Sequence, residues 1–196
     1  MPSDENRRPS AGRQRRREGF AEKRERLGAV DDPNVVFEAA LRFLESRQRS
    51  VAEVRRRLTE AGYPAELIEG AIARLLALGL LDDEAFTTAW VESRDRARPR
   101  GERAIRRELQ LKGVGREVVD AAMDQRRPEP GGETDPDIAA AERLLTRHAA
   151  SLARIADPRK RRQRAYTLLA RNGFDSEICA AQSARVVAGD PVADPD

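Results

Sequence analysis

The chain of 196 residues holds one cysteine, one histidine and one tryptophan, and aromatic residues make up only 4% of it. Each shortage removes a class of answer. With Cys179 alone, no disulfide can form within the chain, so a fold stapled by cystines is excluded. With His148 as the single histidine, and with no phosphate-binding loop or metal-ligand spacing, the sequence offers no catalytic constellation, and neither enzyme activity nor a cofactor is expected. The N-terminus lacks an uninterrupted apolar run that could serve as a signal peptide or membrane span. The expectation is a soluble monomer of the cytoplasm, with no membrane partner.

Charge is what the sequence has in quantity. Of its residues 36% are charged and 39% hydrophobic, enough apolar material to fold but not in excess. The 37 basic residues include only three lysines, and arginine suits bidentate contacts to carboxylate or phosphate. Residues 1–31 carry nine basic and six acidic residues, a surplus that equals the +3 of the whole chain. This arm lacks apolar periodicity and mixes Pro, Gly, Ser and Arg, so residues 1–34 read as a disordered basic arm, either a solvated terminus or a nonspecific polyanion binder.

From Val35 onward the apolar residues recur at helical spacing, beginning with Phe37, Ala40, Leu41 and Leu44. A second helix opens with a capping box, Ser50 with Glu53, and buries Val54, Leu58 and Ala61. Gly62 stops it, and Pro64 suits the first turn of a third helix with Leu67, Ile68, Ala71, Ile72, Leu75 and Leu76 inward. The same grammar then restarts. Asp82 or Asp83 caps a helix bearing Phe86, Ala89, Trp90 and Val91; IRRELQLKG leads to Gly113; and Val118, Val119, Ala122 and Met123 follow at helical spacing. Beyond RRPEPGGETDPD, a linker by composition, Ala141, Leu144 and Leu145, then Ala165, Leu168 and Leu169, then Ile178 and Cys179 mark three more helices.

The repetition is sharpest at the turns: Gly62-Tyr63-Pro64-Ala65-Glu66-Leu67-Ile68, Gly113-Val114-Gly115-Arg116-Glu117-Val118-Val119, and Gly173-Phe174-Asp175-Ser176-Glu177-Ile178-Cys179. In each, the glycine permits positive φ, the next residue folds back on the preceding helix, and the glutamate meets the positive end of the following helix. The spacings are 51 and 60 residues, the period of a small solenoid whose three-helix units cannot bury enough surface alone. The fold expected is all-α, three tandem three-helix repeats in an elongated, curved array: repeat 1 over 35–81, repeat 2 over 82–127, a linker at 128–136, repeat 3 over 137–188, and an acidic tail at 189–196.

The ordered set ALRFLESRQRSVAEVRRRL, EAGYPAELIEGAIARLLALGLLDDEAFTTAWVESR and RGERAIRRELQLKGV, with a third and degenerate repeat, resembles the RecX regulatory protein family, closely over residues 35–125 and more loosely over 137–187. The resemblance implies three tandem three-helix repeats without catalysis. It also implies binding to the RecA recombinase and its nucleoprotein filament on DNA, with restraint of strand exchange and coprotease activity. Two features depart from the pattern: Trp90 stands at a tyrosine-like position, and ASLARIADPRK forms a long stretch between helices of the third repeat.

The residues carry an argument of their own. From Arg94 to Arg116 there are nine basic and three acidic residues, and from Arg154 to Arg171 seven and one. Both clusters span the connection between the first and second helices of a repeat and enter the second helix, where a cation meets the positive end of the dipole at about 0.3–1 kcal/mol apiece. The plain alternative is a solvated face with local acidic neighbours. The candidate partner- and DNA-binding track is Arg94, Arg98, Arg100, Arg103, Arg106, Arg107 and Lys112 on repeat 2, and Arg159, Lys160, Arg161, Arg162 and Arg164 on repeat 3, with weak, sequence-nonspecific DNA binding expected. Phe86, Trp90 and Cys179 read as core, and His148 as a solvated residue. A helix-turn-helix DNA reader and an architectural adaptor remain as alternatives. The first would place Glu66, Glu69, Glu117, Asp120, Asp124 and Glu177 against phosphates.

Overall fold

A computed structural model describes residues 19–127 and 135–188. Those residues form ten helices and no strand: α1 (Phe20–Gly28), α2 (Pro33–Leu44), α3 (Val51–Ala61), α4 (Ala65–Ala77), α5 (Asp83–Arg96), α6 (Glu102–Leu111), α7 (Arg116–Arg126), α8 (Pro136–Ala153), α9 (Pro158–Arg171) and α10 (Ser176–Ala188). Three apolar clusters sit in sequence along the chain. The first joins α2, α3 and α4 around Val36, Val54, Ile68 and Leu75; the second joins α5, α6 and α7 around Phe86, Ile105, Leu109 and Met123; the third joins α8, α9 and α10 around Leu145, Leu169 and Cys179. The protein is an all-α helical repeat.

The local chemistry explains the helix ends. Ser50 accepts a hydrogen bond from the Glu53 N–H while the Glu53 carboxylate accepts from the Ser50 N–H, closing the capping box of α3. Asp82 caps α5 by accepting from the N–H groups of Glu84 and Ala85, and Asp157 does the same for α9 with Arg159 and Lys160. Gly62, Gly113 and Gly173 have φ of +103°, +75° and +84°. In each turn the N–H of the next residue, Tyr63, Val114 or Phe174, donates back to Leu58, Leu109 or Leu169 at 3.2–3.4 Å, the six-residue closure of a Schellman motif.

Successive units join by one recurring device. The hydroxyl of Ser50, at the start of α3, donates to the Lys112 carbonyl at 2.6 Å, and the neighbouring Val51 N–H donates to Asp83 at 2.9 Å. At the start of α6, the Gly101 N–H donates to the Asn172 carbonyl at 3.0 Å, and the Glu102 N–H donates to Asp137 at 2.9 Å. Thus the second helix of one unit begins against the glycine turn of the next, and an aspartate of the next unit's first helix takes an otherwise orphaned helix N–H.

Four expectations change. The segment 1–34 is not wholly without structure: α1 occupies residues 20–28, and α2 starts at Pro33 because Asp32 caps it through the Asn34 N–H. The one buried leucine of α1, Leu27, is a signal too sparse for periodicity to register. Residues 1–18, the linker residues 128–134 and the tail 189–196 lie outside the described residues, while Asp135 and Pro136 belong to the start of α8. Leu76 points out, 46% exposed, because the inward stripe of α4 runs through Ile68, Ala71, Ile72 and Leu75, and Ala89 is exposed on α5. Finally, ASLARIADPRK is no long loop. α8, 18 residues long, absorbs its first four residues and α9 its last three, leaving only residues 154–157 to connect them.

Candidate functional site

The twelve cations of the proposed track fall into two kinds of environment. On the second unit, most are occupied by carboxylates of the same chain. Arg94, 13% exposed, donates to Glu108 at 2.5 Å and lies over the Trp90 ring, 4.2 Å from its centroid. Arg100 reaches Asn172 and stands 3.7 Å from the other oxygen of Glu108. Arg103 pairs with Asp175 at 2.5 Å across the junction to the third unit. Arg106 sits between Glu102, at 2.7 Å, and Asp120. Lys112, 17% exposed, pairs at 3.0 Å with Glu53 of the first unit and lies 4.3 Å from the Trp90 centroid. Only Arg98 and Arg107 of this group are exposed without a carboxylate partner among the described residues.

Glu102 and Glu108 lie within the basic stretch, but three further acids that neutralise it come from elsewhere: Glu53 from α3, Asp120 from α7 and Asp175 from the turn before α10. A reading confined to local acidic neighbours misses them. The Glu53 carboxyl shows what such pairing does. Burial pushes it toward the neutral form, but hydrogen bonds from Arg47 and Lys112 and the Lys112 charge outweigh burial and bring it down to about 2. Trp90 is half-buried, with its indole N–H donating to Glu108 at 2.9 Å, so Glu108 gathers Trp90 and Arg94 into one polar knot.

The third unit presents the other environment. Arg159, Lys160, Arg162 and Arg164 on α9 are all exposed, and none meets a carboxylate among the described residues. Arg161 alone turns back, its guanidinium donating to the Ile155 carbonyl at 3.0 and 3.1 Å. These side chains project from the first two turns of α9, and in the first of them, at Arg159 and Lys160, the helix dipole disfavours cations. Fold stability therefore gives no account of them. His148 is exposed, and Cys179 is 1% exposed within the third core.

Another charged group was not marked by its sequence setting. Arg126, 7% exposed at the end of α7, forks between Asp95 at 2.7 Å and Asp137 at 2.6 Å. Burial opposes its charge, yet the two carboxylates more than offset that and hold its pKa up. Asp137 also accepts the Glu102 N–H, so one buried network ties α5, α7, α8 and the start of α6 together. Among the described residues no cluster of His, Cys, Asp or Glu could hold a metal ion, and no helix is long and apolar enough to cross a membrane.

Comparison with known proteins agrees with this architecture. Residues 37–75 match the family model for the first three-helix domain of RecX, and residues 82–123 match that for the second. The chain is 35% identical to the regulatory protein RecX of Streptomyces coelicolor over 134 residues, covering 68% of each. It is 31% identical to that of Mycobacterium ulcerans over 138 residues, covering 70% of this chain and 76% of the relative. The match to the RecX of Mycolicibacterium vanbaalenii is 42% identical but spans only 42% of this chain and 45% of that protein. Two solved structures share the fold: a crystal structure of regulatory protein RecX, with TM-score 0.65 at 24% identity over 74% of this chain and 70% of that one, and RecX from Lactobacillus salivarius, with TM-score 0.66 at 19% identity over 81% and 97%. The chain belongs to the RecX family of regulatory proteins.

Proposed function

We propose that the protein is a non-catalytic regulator of the cytoplasm that binds the RecA recombinase and its nucleoprotein filament on DNA, inhibits recombinase and coprotease activity, and so modulates DNA repair. The observation that carries the contact surface is the unpaired cationic face of α9. Four exposed cations, Arg159, Lys160, Arg162 and Arg164, stand where no described carboxylate answers them, and Arg159 and Lys160 lie in the first turn, where the helix dipole opposes them. Such a face suits an acidic protein surface, a phosphate backbone, or both. Arg98 and Arg107 extend the positive field on the second unit, whereas Arg103 and Lys112 pair across the junctions to the third and first units, and Arg94 and Arg106 pair within the second.

The helix-turn-helix alternative fares worse. The helices that follow the glycine turns expose Glu66 and Glu69 on α4, Glu117 and Asp124 on α7, and Glu177 on α10, all of which would meet phosphates in a major groove. The deciding experiment adds the protein to RecA filaments on single-stranded DNA and follows ATP hydrolysis and strand exchange. Inhibition of both at stoichiometric or lower amounts is expected. Unchanged rates at saturating protein overturn the proposal.

A further inference from the structure

Of the glycines with positive φ, Gly62, Gly113 and Gly173 share something that Gly79 lacks. A Cβ on Gly79 would meet nothing within 4 Å, whereas one on any of the other three would collide with a neighbouring element. For Gly113 that element is the start of α3, at Ala52, and for Gly173 it is the start of α6, at Ala104. Each of these turns thus rests on the second helix of the unit before it. Among the described residues no three-helix unit precedes the first, yet Gly62 is equally crowded: its Cβ would lie 2.5 Å from the Arg24 Cγ and 2.9 Å from the Arg24 carbonyl oxygen, both on α1.

The sequence of α1 repeats the pattern of those second helices. Its N-cap is glycine, as in α6, and Glu22 at the third position accepts the Gly19 N–H at 3.0 Å, as Glu53 does for Ser50 in α3. At the same distance from the N-cap come Leu27 in α1, Leu58 in α3 and Leu109 in α6, which are 7%, 2% and 0% exposed. The third unit differs at the corresponding place. Where Val51 and Glu102 give an N–H to the next unit's aspartate, α9 has Pro158, which has no N–H to give.

We infer that α1 is an intramolecular cap: it occupies, on the Gly62 turn, the stacking seat that the second helix of a preceding unit occupies on the Gly113 and Gly173 turns. The seat is an interaction surface with a defined fit, for a short capped helix bearing a leucine eight residues after its N-cap. Repeat arrays need such terminal elements because an internal stacking face left open exposes apolar surface and unpaired backbone. On this assignment residues 20–28 are part of the folded array and not of a solvated arm.

Hydrogen exchange on the full chain tests this, comparing Leu27→Asp with the parent. Exchange should quicken at least tenfold in α1 and at the amides of Gly62 and Tyr63, with α9 and α10 unchanged. Parent-like exchange at Gly62 and Tyr63 in this variant overturns the inference. Should acceleration reach α9 and α10, marking general loss of fold, Leu27→Ala decides: faster exchange confined to α1 and the Gly62 turn supports the cap, and parent-like exchange there sinks it.

Discussion

Gly113 presses directly on the Cβ of Ala52, so a methyl group added to the glycine would overlap it. The glycine also has φ of +75°, which a β-branched residue adopts only with strain. Gly113→Val should therefore lower stability by about 1–3 kcal/mol from the backbone alone, with the collision adding to it. Urea unfolding reads the loss, and a midpoint equal to the parent's would contradict this packing. Gly79, with open space around it, makes the contrast: Gly79→Ala carries the backbone strain without the collision and should lose less.

Arg126→Met should be among the most damaging single changes. It removes the cation between Asp95 and Asp137 and leaves a half-buried and a buried carboxylate facing each other, a loss on the order of 3–5 kcal/mol for a broken buried pair. The second and third units should also uncouple. Fluorescence of Trp90, in the second unit, and helicity by circular dichroism should then give separate unfolding transitions where the parent gives coincident ones.

Acid should weaken the junction between the first and second units. The folded pKa of Glu53, about 2, lies below its ordinary value of 4.5. Its ionised form thus stabilises the fold above about pH 5, and that stabilisation is lost as pH falls from there toward 2. The loss is on the order of 2–3 kcal/mol. In Glu53→Gln this part of the stability–pH curve should flatten, while stability at pH 7 should be lower than the parent's.

Replacing Arg159, Lys160, Arg162 and Arg164 with glutamine should leave the fold intact, since glutamine is nearly as good a helix former and the four have no carboxylate partner among the described residues. Binding to single-stranded DNA should weaken, and its salt dependence should fall by about 0.7 in log–log slope for each phosphate no longer neutralised. A variant that stops inhibiting strand exchange but still binds naked DNA would place a protein surface, and not a phosphate, against α9. The comparison variant, Arg103→Gln with Arg106→Gln, should lower the melting temperature, because both residues hold carboxylates of other elements.

Cys179 should resist thiol reagents until the protein unfolds. It is 1% exposed, and burial first, then the Asp175 charge, push its pKa up, so little reactive thiolate forms at neutral pH. Rapid labelling under native conditions would show that the third core opens.

The sequence disclosed most of the helices because stripe, cap and glycine stop agree at each of them, as at Ser50, Leu58 and Gly62. It also disclosed the unit period, since Gly62, Gly113 and Gly173 stand in one pattern. The polar junctions were harder to see. Arg106 is local to Glu102, but its other partner, Asp120, lies on the next helix, and Arg103 finds Asp175 only after the units stack. Charge counted along the chain overstated the free cations of the second unit and was a better guide on α9, where no acid among the described residues meets Arg159, Lys160, Arg162 or Arg164. Asp83 and Asp137, which take the junction N–H groups, stand one and two residues after their N-caps, so the sequence does not mark them as equivalents.

The joints between units have a bearing on how such a chain can change over generations. At both of them the turn contributes a main-chain carbonyl, that of Lys112 or Asn172, and every residue type carries one. Substitution there leaves the acceptor in place. What must persist is a glycine and a small surface for it to rest on. A duplicated unit could thus drift far in side chains, as the third has from the first, and still find its place behind its neighbour.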